Sequence, residues 1–332
     1  MEHVQHVSSV SYTLCKAFNL NTELAMAIAL GHDIGHAPFG HFGEKVIKAF
    51  SLRYIGTDFW HEKNSLRFVD KLETLKNEKG IETNLNLTYA VRDGILLHCG
   101  EVDEANLIPR DDAIDLNDVE EPGKYFPFTW EGCVVKVADK IAYLGRDIED
   151  AITLKLLSMK DLKALYRILQ NIDPRVKFSV TNTMIMYYLI NDIATNSSLE
   201  KGICFSQKGF EFMCLLKKFN YKTIYEHERI QMYKRHAENI IDTIFTFLSS
   251  LYQGENTLKK MDNNLLRFQY PLIISNFLNH LRQWSQETNK NKLNPLYNLS
   301  DQGSYHEAIV DFVSGMTDSF AIRCFNEITS FA

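Results

Sequence analysis

The stretch GHDIGHAPFGHFGE, residues 31–44, places three histidines, an aspartate and a glutamate within fourteen positions that also hold four glycines and a proline. The preceding residues, TELAMAIAL, are strong helix formers and begin with Thr-Glu, which is typical of a helix N-terminus. The glycines and the proline interrupt this helix, and a new helix is predicted near Glu44. The stretch is therefore predicted to be a loop between two helices that carries side chains able to bind a metal ion or transfer protons.

Helical periodicity extends over most of the chain, and alternating strand patterns are almost absent. A helix pair is predicted on either side of Asn-Leu-Asn, residues 19–21, and further helices at 63–77, 88–98, 131–154, 160–170, 180–196, 207–217, 224–252, 268–286 and 303–329. The acidic segment 97–130 contains three prolines and lacks periodicity, so it is interpreted as a long excursion or lid. The sequence therefore predicts an all-α protein.

Composition excludes several classes of function. A formal net charge of −6 disfavours a general nucleic-acid binder, because such affinity comes mostly from neutralising phosphates. Six scattered cysteines without a Cys-x-x-Cys pair predict reduced thiols and a cytoplasmic location. Neither a signal peptide nor an apolar run of membrane-spanning length is found, so we expect no membrane association.

Four side chains are predicted to share one divalent cation. His32 and Asp33 are adjacent at the end of a predicted helix, and His3 lies near the start of the preceding helix, where an antiparallel helix pair would return the chain. Asp139 interrupts the apolar pattern of CVVKVADKIAYLGRDIEDA, and an unpaired buried carboxylate would be unfavourable. Its oxygen as a fourth ligand favours Mn²⁺ or Mg²⁺ over a structural zinc site.

The helix that contains Asp139 leaves two alternatives open. A buried salt bridge from Asp139 to Lys140 or Arg146 would also explain the carboxylate without a metal. Asp139, Tyr143 and Asp147 are spaced i, i+4, i+8, and therefore lie on one helix face. Tyr143 is equally compatible with a core position in which its hydroxyl is hydrogen-bonded.

These residues resemble a known family, the HD-domain deoxynucleoside triphosphate triphosphohydrolases, or dGTPase-like proteins. Besides HDIGHAPFGHFGE and ADKIAYLGRDIEDA, the similar segments are WHEKNSLRFVDKLE, LTYAVRDGILLHCGE and DFVSGMTDSFA, so that the resemblance covers most of the chain. It implies an HD-domain helical bundle with additional C-terminal helices. We expect an HD core over residues 1–155 and a helical region over 156–332.

Position by position, the resemblance implies three sets of site residues. The metal ligands would be His3, His32, Asp33 and Asp139. The catalytic residues around the phosphates and the attacking water would be His36, His41, Glu44 and His61. The substrate-binding residues would be Lys140, Tyr143 and Asp147, with Tyr225 as a further candidate. His61 could instead cap its own helix together with Glu62, and His98 is interpreted as structural or as the partner of a ligand.

The implied reaction is hydrolysis of a deoxynucleoside triphosphate, such as dGTP, to the deoxynucleoside and inorganic triphosphate. One Mn²⁺ or Mg²⁺ per site is expected, with other transition metals possible, and the resemblance implies a homo-oligomer. Family members usually have an N-terminal segment before the first ligand histidine, which this sequence is expected to lack. Two alternatives stay open: an HD phosphohydrolase for another nucleotide phosphoester, and a catalytically silent module that binds nucleotides or single-stranded DNA.

Overall fold

In this computed structural model, residues 2–99, 104–171, 181–285 and 294–330 are described. The described part of the chain is predominantly helical, as the sequence predicts, and its four short strands form two separate antiparallel pairs. The helices are α1 (Glu2–Phe18), α2 (Thr22–Gly31), α3 (His41–Tyr54), α4 (His61–Arg67), α5 (Tyr89–Leu97), α6 (Trp130–Thr153), α7 (Met159–Gln170), α8 (Asn182–Asn196), α9 (Gln207–Asn220), α10 (Glu228–Ser250), α11 (Thr257–Met261), α12 (Asn264–Gln269), α13 (Pro271–Trp284), α14 (Gln302–Ser314) and α15 (Asp318–Thr329). Strand β1 (Thr74–Lys76) pairs with β2 (Glu82–Asn84), and β3 (Asn106–Leu107) pairs with β4 (Ile203–Cys204). None of the described helices combines the length and apolar character needed to cross a membrane.

The chain divides into two compact units. The first unit comprises Met1–Asp33 and Leu87–Met232, and the second comprises Ile34–Asn86 and Tyr233–Ala332. The chain passes between the units after Asp33, after Asn86 and inside α10. Each unit is therefore built from two separate parts of the chain. This division differs from the expected boundary near residue 155, which stays a prediction about domains.

The core of the first unit is organised around α6, which packs against α1, α2, α5, α8 and α9. Thr129 caps the N-terminus of α6 by accepting a hydrogen bond from the backbone N–H of Gly132. Most of the helix is buried. Gly145 allows a close approach of α8, because a Cβ atom there would lie 2.2 Å from the side-chain oxygen of Asn182. Asp139 therefore lies in the middle of a helix that is buried along most of its length.

Helices α1 and α2 form the predicted pair. Asn19 has a positive φ of 57°, and Asn21 caps α2 by accepting hydrogen bonds from the backbone N–H groups of Glu23 and Leu24. Buried residues of α1 recur at helical spacing, and helices α1 and α2 both pack on α6. The start of α1 and the end of α2 are thereby brought to the same helix, α6.

The second unit has its own core, formed by the buried faces of α10, α13 and α14 together with residues from α3 and α15. Phe50 stacks on Phe245, with ring centroids 4.0 Å apart, and Tyr305 donates a hydrogen bond to the backbone carbonyl of Leu248. These contacts hold α3 against α10 and α14. Helix α3 carries two of the predicted catalytic residues at its N-terminus.

Two predicted helices are wrong in extent. The helix expected at 63–77 ends in a single π-helical turn at Leu72 and is followed by the β1–β2 hairpin. Asn77 accepts hydrogen bonds from the N–H groups of Lys79 and Ile81, and Gly80 has a φ of 69°, so this segment has the chemistry of a tight turn. The helix expected at 303–329 is divided, because α14 ends at Gly315 and Thr317 caps α15.

Candidate metal centre and histidine quartet

The first unit brings the four predicted metal ligands together. The Nε2 atom of His3, at the start of α1, lies 2.9 Å from Oδ1 of Asp139 and 3.7 Å from Oδ2 of Asp33. The Nε2 atom of His32, at the end of α2, lies 3.4 Å from Oδ2 of Asp33 and 3.9 Å from Oδ1 of Asp139. We call these four residues the metal centre.

These separations suit ligands of a common ion. With bonds of ~2.0–2.2 Å, adjacent ligand atoms around a tetrahedral or octahedral ion are roughly 2.8–3.6 Å apart. The measured distances of 2.9, 3.4, 3.7 and 3.9 Å lie within this range or up to 0.3 Å beyond it. Two imidazole nitrogens and two carboxylate groups make a mixed donor set that accepts Mn²⁺ as well as softer cations.

The orientation of His32 provides an independent test of the fit. Its side chain is fully buried, and its Nδ1 atom lies 2.7 Å from the backbone carbonyl of Ala29, which accepts a hydrogen bond if Nδ1 is protonated. The other nitrogen, Nε2, then carries a lone pair and lies 3.4 and 3.9 Å from carboxylate oxygens of the two aspartates. Among the described residues, Nε2 has no hydrogen-bond partner. A buried polar atom without a partner is unfavourable, and a divalent cation would satisfy it.

The charges at the metal centre also favour a cation. Burial would raise the pKa of Asp139, but the hydrogen bond with His3 and the other favourable interactions around the carboxylate outweigh burial and the repulsion from Asp33, so its pKa is below its ordinary value. Burial would lower the pKa of His3, but Asp139 and the nearby charges of Asp33 and Asp147 hold it above its ordinary value. Two neighbouring carboxylates therefore draw positive charge to this position.

His98 also lies beside the metal centre. The sequence alone indicates a structural residue or the partner of a ligand at this position. Its Nδ1 atom lies 2.6 Å from the carbonyl oxygen of Ile95, and its Nε2 atom is 3.9 Å from Oδ1 of Asp33. Its ring packs edge-on against His32, with centroids 4.9 Å apart. His98, His32 and Asp33 thus form a second set of converging ligand atoms around the same carboxylate. No local sequence pattern indicates this contact, because Asp33 and His98 are 65 positions apart in the chain.

Helix α6 carries the three predicted substrate-binding residues. Lys140 is buried, and Tyr143 and Asp147 are half-buried on the same helix. The hydroxyl of Tyr225 donates a hydrogen bond to the carboxylate of Asp147, and burial followed by that negative charge raises the pKa of Tyr225 above its ordinary value. Tyr225 thus orients Asp147.

Arg146, one of the alternative partners considered for Asp139, forms ion pairs with Glu2 and Asp150. Its guanidinium therefore belongs to a surface cluster at the exposed side of α6. Asp139 itself lies 2.9 Å from His3 and 3.9 Å from His32.

The second unit brings together the four predicted catalytic residues, three histidines and one glutamate: His36, His41, Glu44 and His61. We call this group of four the histidine quartet. The Nδ1 atoms of His41 and His61 lie 3.1 and 3.3 Å from the same carboxylate oxygen, Oε2 of Glu44. The ring of His36 stacks on that of His61, with centroids 4.6 Å apart, and lies 5.2 Å from the ring of His41. One potential ligand atom from each residue lies within 4.8 Å of those from the other three.

Glu44 is the centre of the quartet. Its Oε1 accepts a hydrogen bond from the backbone N–H of His61, the first residue of α4, at 3.1 Å. Burial would raise the pKa of Glu44, but its contacts with His41 and His61 hold that pKa well below its ordinary value. Glu44 is therefore an anion that orients both imidazoles.

Close packing holds the loop that carries His36 in place. A Cβ atom on Gly35 would lie 2.2 Å from the backbone nitrogen of Ser65, and one on Gly43 would lie 1.9 Å from the carbonyl oxygen of Pro38. The side chain of Asn64 donates to the carbonyl of Gly35 at 2.7 Å, and the N–H of Phe39 donates to Asp318 at 2.8 Å. A side chain at either position would clash with the backbone, so glycine permits these close contacts.

The C-terminal motif DFVSGMTDSFA contacts the segments that carry the quartet. Asp311 accepts two hydrogen bonds from Arg67, at the end of α4, each 2.7 Å long, and a third from Tyr297 at 2.6 Å. Asp318, from the same motif, accepts the hydrogen bond from Phe39. The motif therefore anchors both α4 and the loop that precedes α3.

Comparison with known proteins agrees with this arrangement. The family model of the HD domain matches residues 1–144, which include all four residues of the metal centre and all four of the quartet. Residues 1–144 are therefore similar to an HD domain, and the His-Asp pair at the end of α2 lies within the matched residues.

The most similar curated relatives include proteins named deoxyguanosinetriphosphate triphosphohydrolase-like. The one from Caldanaerobacter subterraneus subsp. tengcongensis is 29% identical over 329 residues, covering 99% of this chain and 74% of the relative. The one from Clostridium tetani is 29% identical over 335 residues, covering 99% of this chain and 75% of the relative. The one from Rickettsia felis is 27% identical over 349 residues, covering 99% of this chain and 82% of the relative. Over nearly its whole length, the chain is therefore similar to dGTPase-like proteins.

Proposed function

We propose that this protein hydrolyses a deoxynucleoside triphosphate at the α-phosphorus and releases a deoxynucleoside and inorganic triphosphate. The observation that carries the proposal is the convergence of His3, the adjacent pair His32 and Asp33, and Asp139, which come from three separate parts of the sequence. The name shared by the relatives, deoxyguanosinetriphosphate triphosphohydrolase-like protein, supports the choice of substrate class.

The metal centre would hold one divalent cation, with Mn²⁺ or Mg²⁺ as the first choice. When bound, such a cation supplies positive charge to a phosphate oxygen and lowers the pKa of a water molecule. The two aspartates provide the negative charge that retains the cation. The two histidines are held in place by the packing of α1 and α2 on α6.

The histidine quartet would handle protons and phosphate charge. His41 is 61% exposed in its side chain, and Glu44 lies behind it at 3.1 Å. This pair resembles a general acid or base with an orienting carboxylate, which typically contributes about 10²- to 10⁴-fold to the rate. His36 and His61 would add donors to the phosphate oxygens.

Helix α6 would recognise the sugar and a phosphate. Lys140 would offset phosphate charge, and Asp147 would accept a hydrogen bond from the 3′-hydroxyl. The ring of Tyr143 would pack against C2′ and exclude a 2′-hydroxyl, which favours deoxyribonucleotides. The hydrogen bond from Tyr225 supports this role, because it fixes the direction of the Asp147 carboxylate.

Two broader expectations accompany the proposal. All six cysteines are free thiols, which supports a reducing, cytoplasmic location. The family resemblance supports a homo-oligomer, which sedimentation analysis of the purified chain would detect.

A product assay tests the proposed function. The purified chain is incubated with Mn²⁺ or Mg²⁺ and with each of the four deoxynucleoside triphosphates, or with a ribonucleoside triphosphate. We expect intact triphosphate and a deoxynucleoside, with little turnover of the ribonucleotide and none by Asp33→Ala. Release of phosphate or pyrophosphate would instead indicate another phosphoester reaction. Nucleotide binding without turnover would indicate a silent regulatory module.

A further inference from the structure

We propose that the histidine quartet is itself a second metal-binding site, selective for Zn²⁺ and related transition cations, and that its occupation inhibits the enzyme. The site consists of His36, His41, Glu44 and His61, and thus lies entirely within the second unit. The binding part of the proposal stands on the geometry of these four residues. The inhibitory part rests on the proposed function, since a cation bound to Nδ1 of His41 and to Glu44 would break the contact that orients His41 for proton transfer.

The spacing of the quartet fits a tetrahedral cation. In a tetrahedral site with bonds of ~2.0–2.1 Å, neighbouring ligand atoms are roughly 3.3 Å apart. The Nδ1 atoms of His41 and His61 lie 3.1 and 3.3 Å from Oε2 of Glu44. All four ligand atoms lie within 4.8 Å of one another, so small side-chain rotations complete the polyhedron.

The donor set distinguishes the quartet from the metal centre. The quartet offers three imidazole nitrogens and one carboxylate, whereas the metal centre offers two of each. Nitrogen-rich sites favour Zn²⁺, Co²⁺, Ni²⁺ and Cu²⁺, whereas Mg²⁺ prefers oxygen ligands and water. We therefore expect Mg²⁺ to leave the quartet empty under conditions in which Zn²⁺ or Co²⁺ fills it.

Local charge and rigidity also favour cation binding. Besides Glu44, the buried carboxylate of Glu62 lies 3.5 Å from Nδ1 of His61. Two carboxylates beside three imidazole rings make the position attractive to a divalent cation. The backbone N–H of His61 holds Glu44, and Asn64 and Ser65 hold the loop at Gly35, so the ligands are ordered before binding.

The exposure of the four residues provides a path for the cation. The side chain of His41 is 61% exposed, whereas those of Glu44 and His61 are 15% and 12% exposed. A cation can therefore reach the buried ligands from solvent through the His41 position. The same exposure makes His41 a suitable residue to mutate, since removing its ring leaves no cavity in the core.

Cobalt titration of the full chain tests the binding directly. Visible absorption of Co²⁺ reports its coordination geometry, and equilibrium dialysis gives the number of ions bound. In the Asp33→Ala/Asp139→Ala double variant, which disables the metal centre, we expect one tightly bound Co²⁺ with tetrahedral absorption. Adding His41→Ala or Glu44→Gln should weaken that binding about 10- to 100-fold, whereas adding His236→Ala, an exposed histidine of the same unit, should leave it unchanged. Circular dichroism confirms that each variant is folded.

The result that would overturn the binding proposal is loss of all tight Co²⁺ binding in the double variant, or retained binding after His41→Ala and Glu44→Gln. Activity is measured separately, in wild-type protein supplied with Mn²⁺ and titrated with Zn²⁺. We expect turnover to fall as the quartet fills, and the Zn²⁺ concentration that halves turnover should match the dissociation constant of the quartet. A protein that binds the second cation but turns over no deoxynucleotide would contradict the proposed function and leave the second metal site standing.

Discussion

The metal centre and the histidine quartet are assembled in different ways. His3, His32 and Asp139 come from the ends of two helices and the middle of a third, and only the packing of α1 and α2 on α6 brings them together. By contrast, His36, His41 and Glu44 lie within nine consecutive residues, and His61 joins them through the backbone of α4. The first site therefore depends on a large core, and the second on a short loop with glycines at two close contacts.

Their electrostatics differ as well. Two neighbouring carboxylates dominate the metal centre, whereas a single carboxylate oxygen between two imidazoles dominates the quartet. Substitutions should consequently have separable effects: those in the first unit should change metal affinity, and those in the second should change proton transfer. The predictions below test this separation.

The largest effect is expected for Asp139→Ala. We expect turnover to fall on the order of 10⁴-fold, because the variant loses a charged ligand and with it the cation that stabilises the transition state. Mn²⁺ binding should weaken in parallel when measured by dialysis. Asp150→Ala on the same helix, where the carboxylate pairs with Arg146, serves as the control and should leave both quantities unchanged. Comparable turnover in the two variants would contradict the assignment.

His41→Ala should lower kcat about 10²- to 10³-fold because it removes the proposed proton-transfer group. Unlike Asp139→Ala, it should leave Mn²⁺ affinity at the metal centre unchanged in the same dialysis measurement. His236→Ala is the matched control. If His41→Ala instead weakened Mn²⁺ binding and left kcat intact, the separation of roles between the two sites would fail.

The second unit also contains a half-buried histidine whose titration should affect stability. Burial lowers the pKa of His280 to about 4, and its Nε2 atom lies 3.0 Å from the hydroxyl of Tyr297. The unfolded chain binds a proton below about pH 6.5, but the folded chain does so only near pH 4, so folding stability falls as the pH decreases through this window. The loss from this group reaches about 3 kcal/mol by pH 4.

Denaturant unfolding at pH 7 and pH 4 measures that contribution. His280→Gln retains a polar side chain for Tyr297 but cannot be protonated, so the variant should lose about 3 kcal/mol less stability than wild type over this range. The exposed His236→Ala variant should follow wild type. Equal losses in His280→Gln and wild type would show that His280 does not titrate in this window.

The smallest effect is expected for His98→Asn. The asparagine amide can keep the hydrogen bond to the carbonyl of Ile95, but it lacks the Nε2 atom that faces Asp33. Metal affinity should therefore fall about 10- to 100-fold while the melting temperature is retained. An unchanged affinity would leave the structural role as the remaining interpretation of His98.

Helical content and several helix ends could be predicted because capping and periodicity are local. The helix expected at 131–154 is α6, Trp130–Thr153, and the one expected at 88–98 is α5, Tyr89–Leu97. The β1–β2 hairpin was missed because its turn chemistry at Asn77 and Gly80 follows directly on a helical pattern. The division between α14 and α15 was missed because a capping threonine interrupts an otherwise continuous apolar pattern.

The candidate sites show the same limit. The histidines and acids of residues 31–44 were conspicuous because they are clustered in the sequence. Three other contacts depend on residues that are distant in the chain. They are the approach of His98 to Asp33, the hydrogen bonds from Arg67 to Asp311 and the hydrogen bond from Phe39 to Asp318. Such contacts arise from tertiary packing, which no local pattern specifies.

The most direct test of the account is a crystal structure of the protein soaked with Mn²⁺, with anomalous scattering recorded at the manganese edge. We predict one strong anomalous peak in the first unit, with bonds to His3, His32, Asp33 and Asp139 of about 2.0–2.3 Å. A manganese ion bound elsewhere, with Asp139 outside its coordination sphere, would contradict the claim that these four side chains form the metal centre.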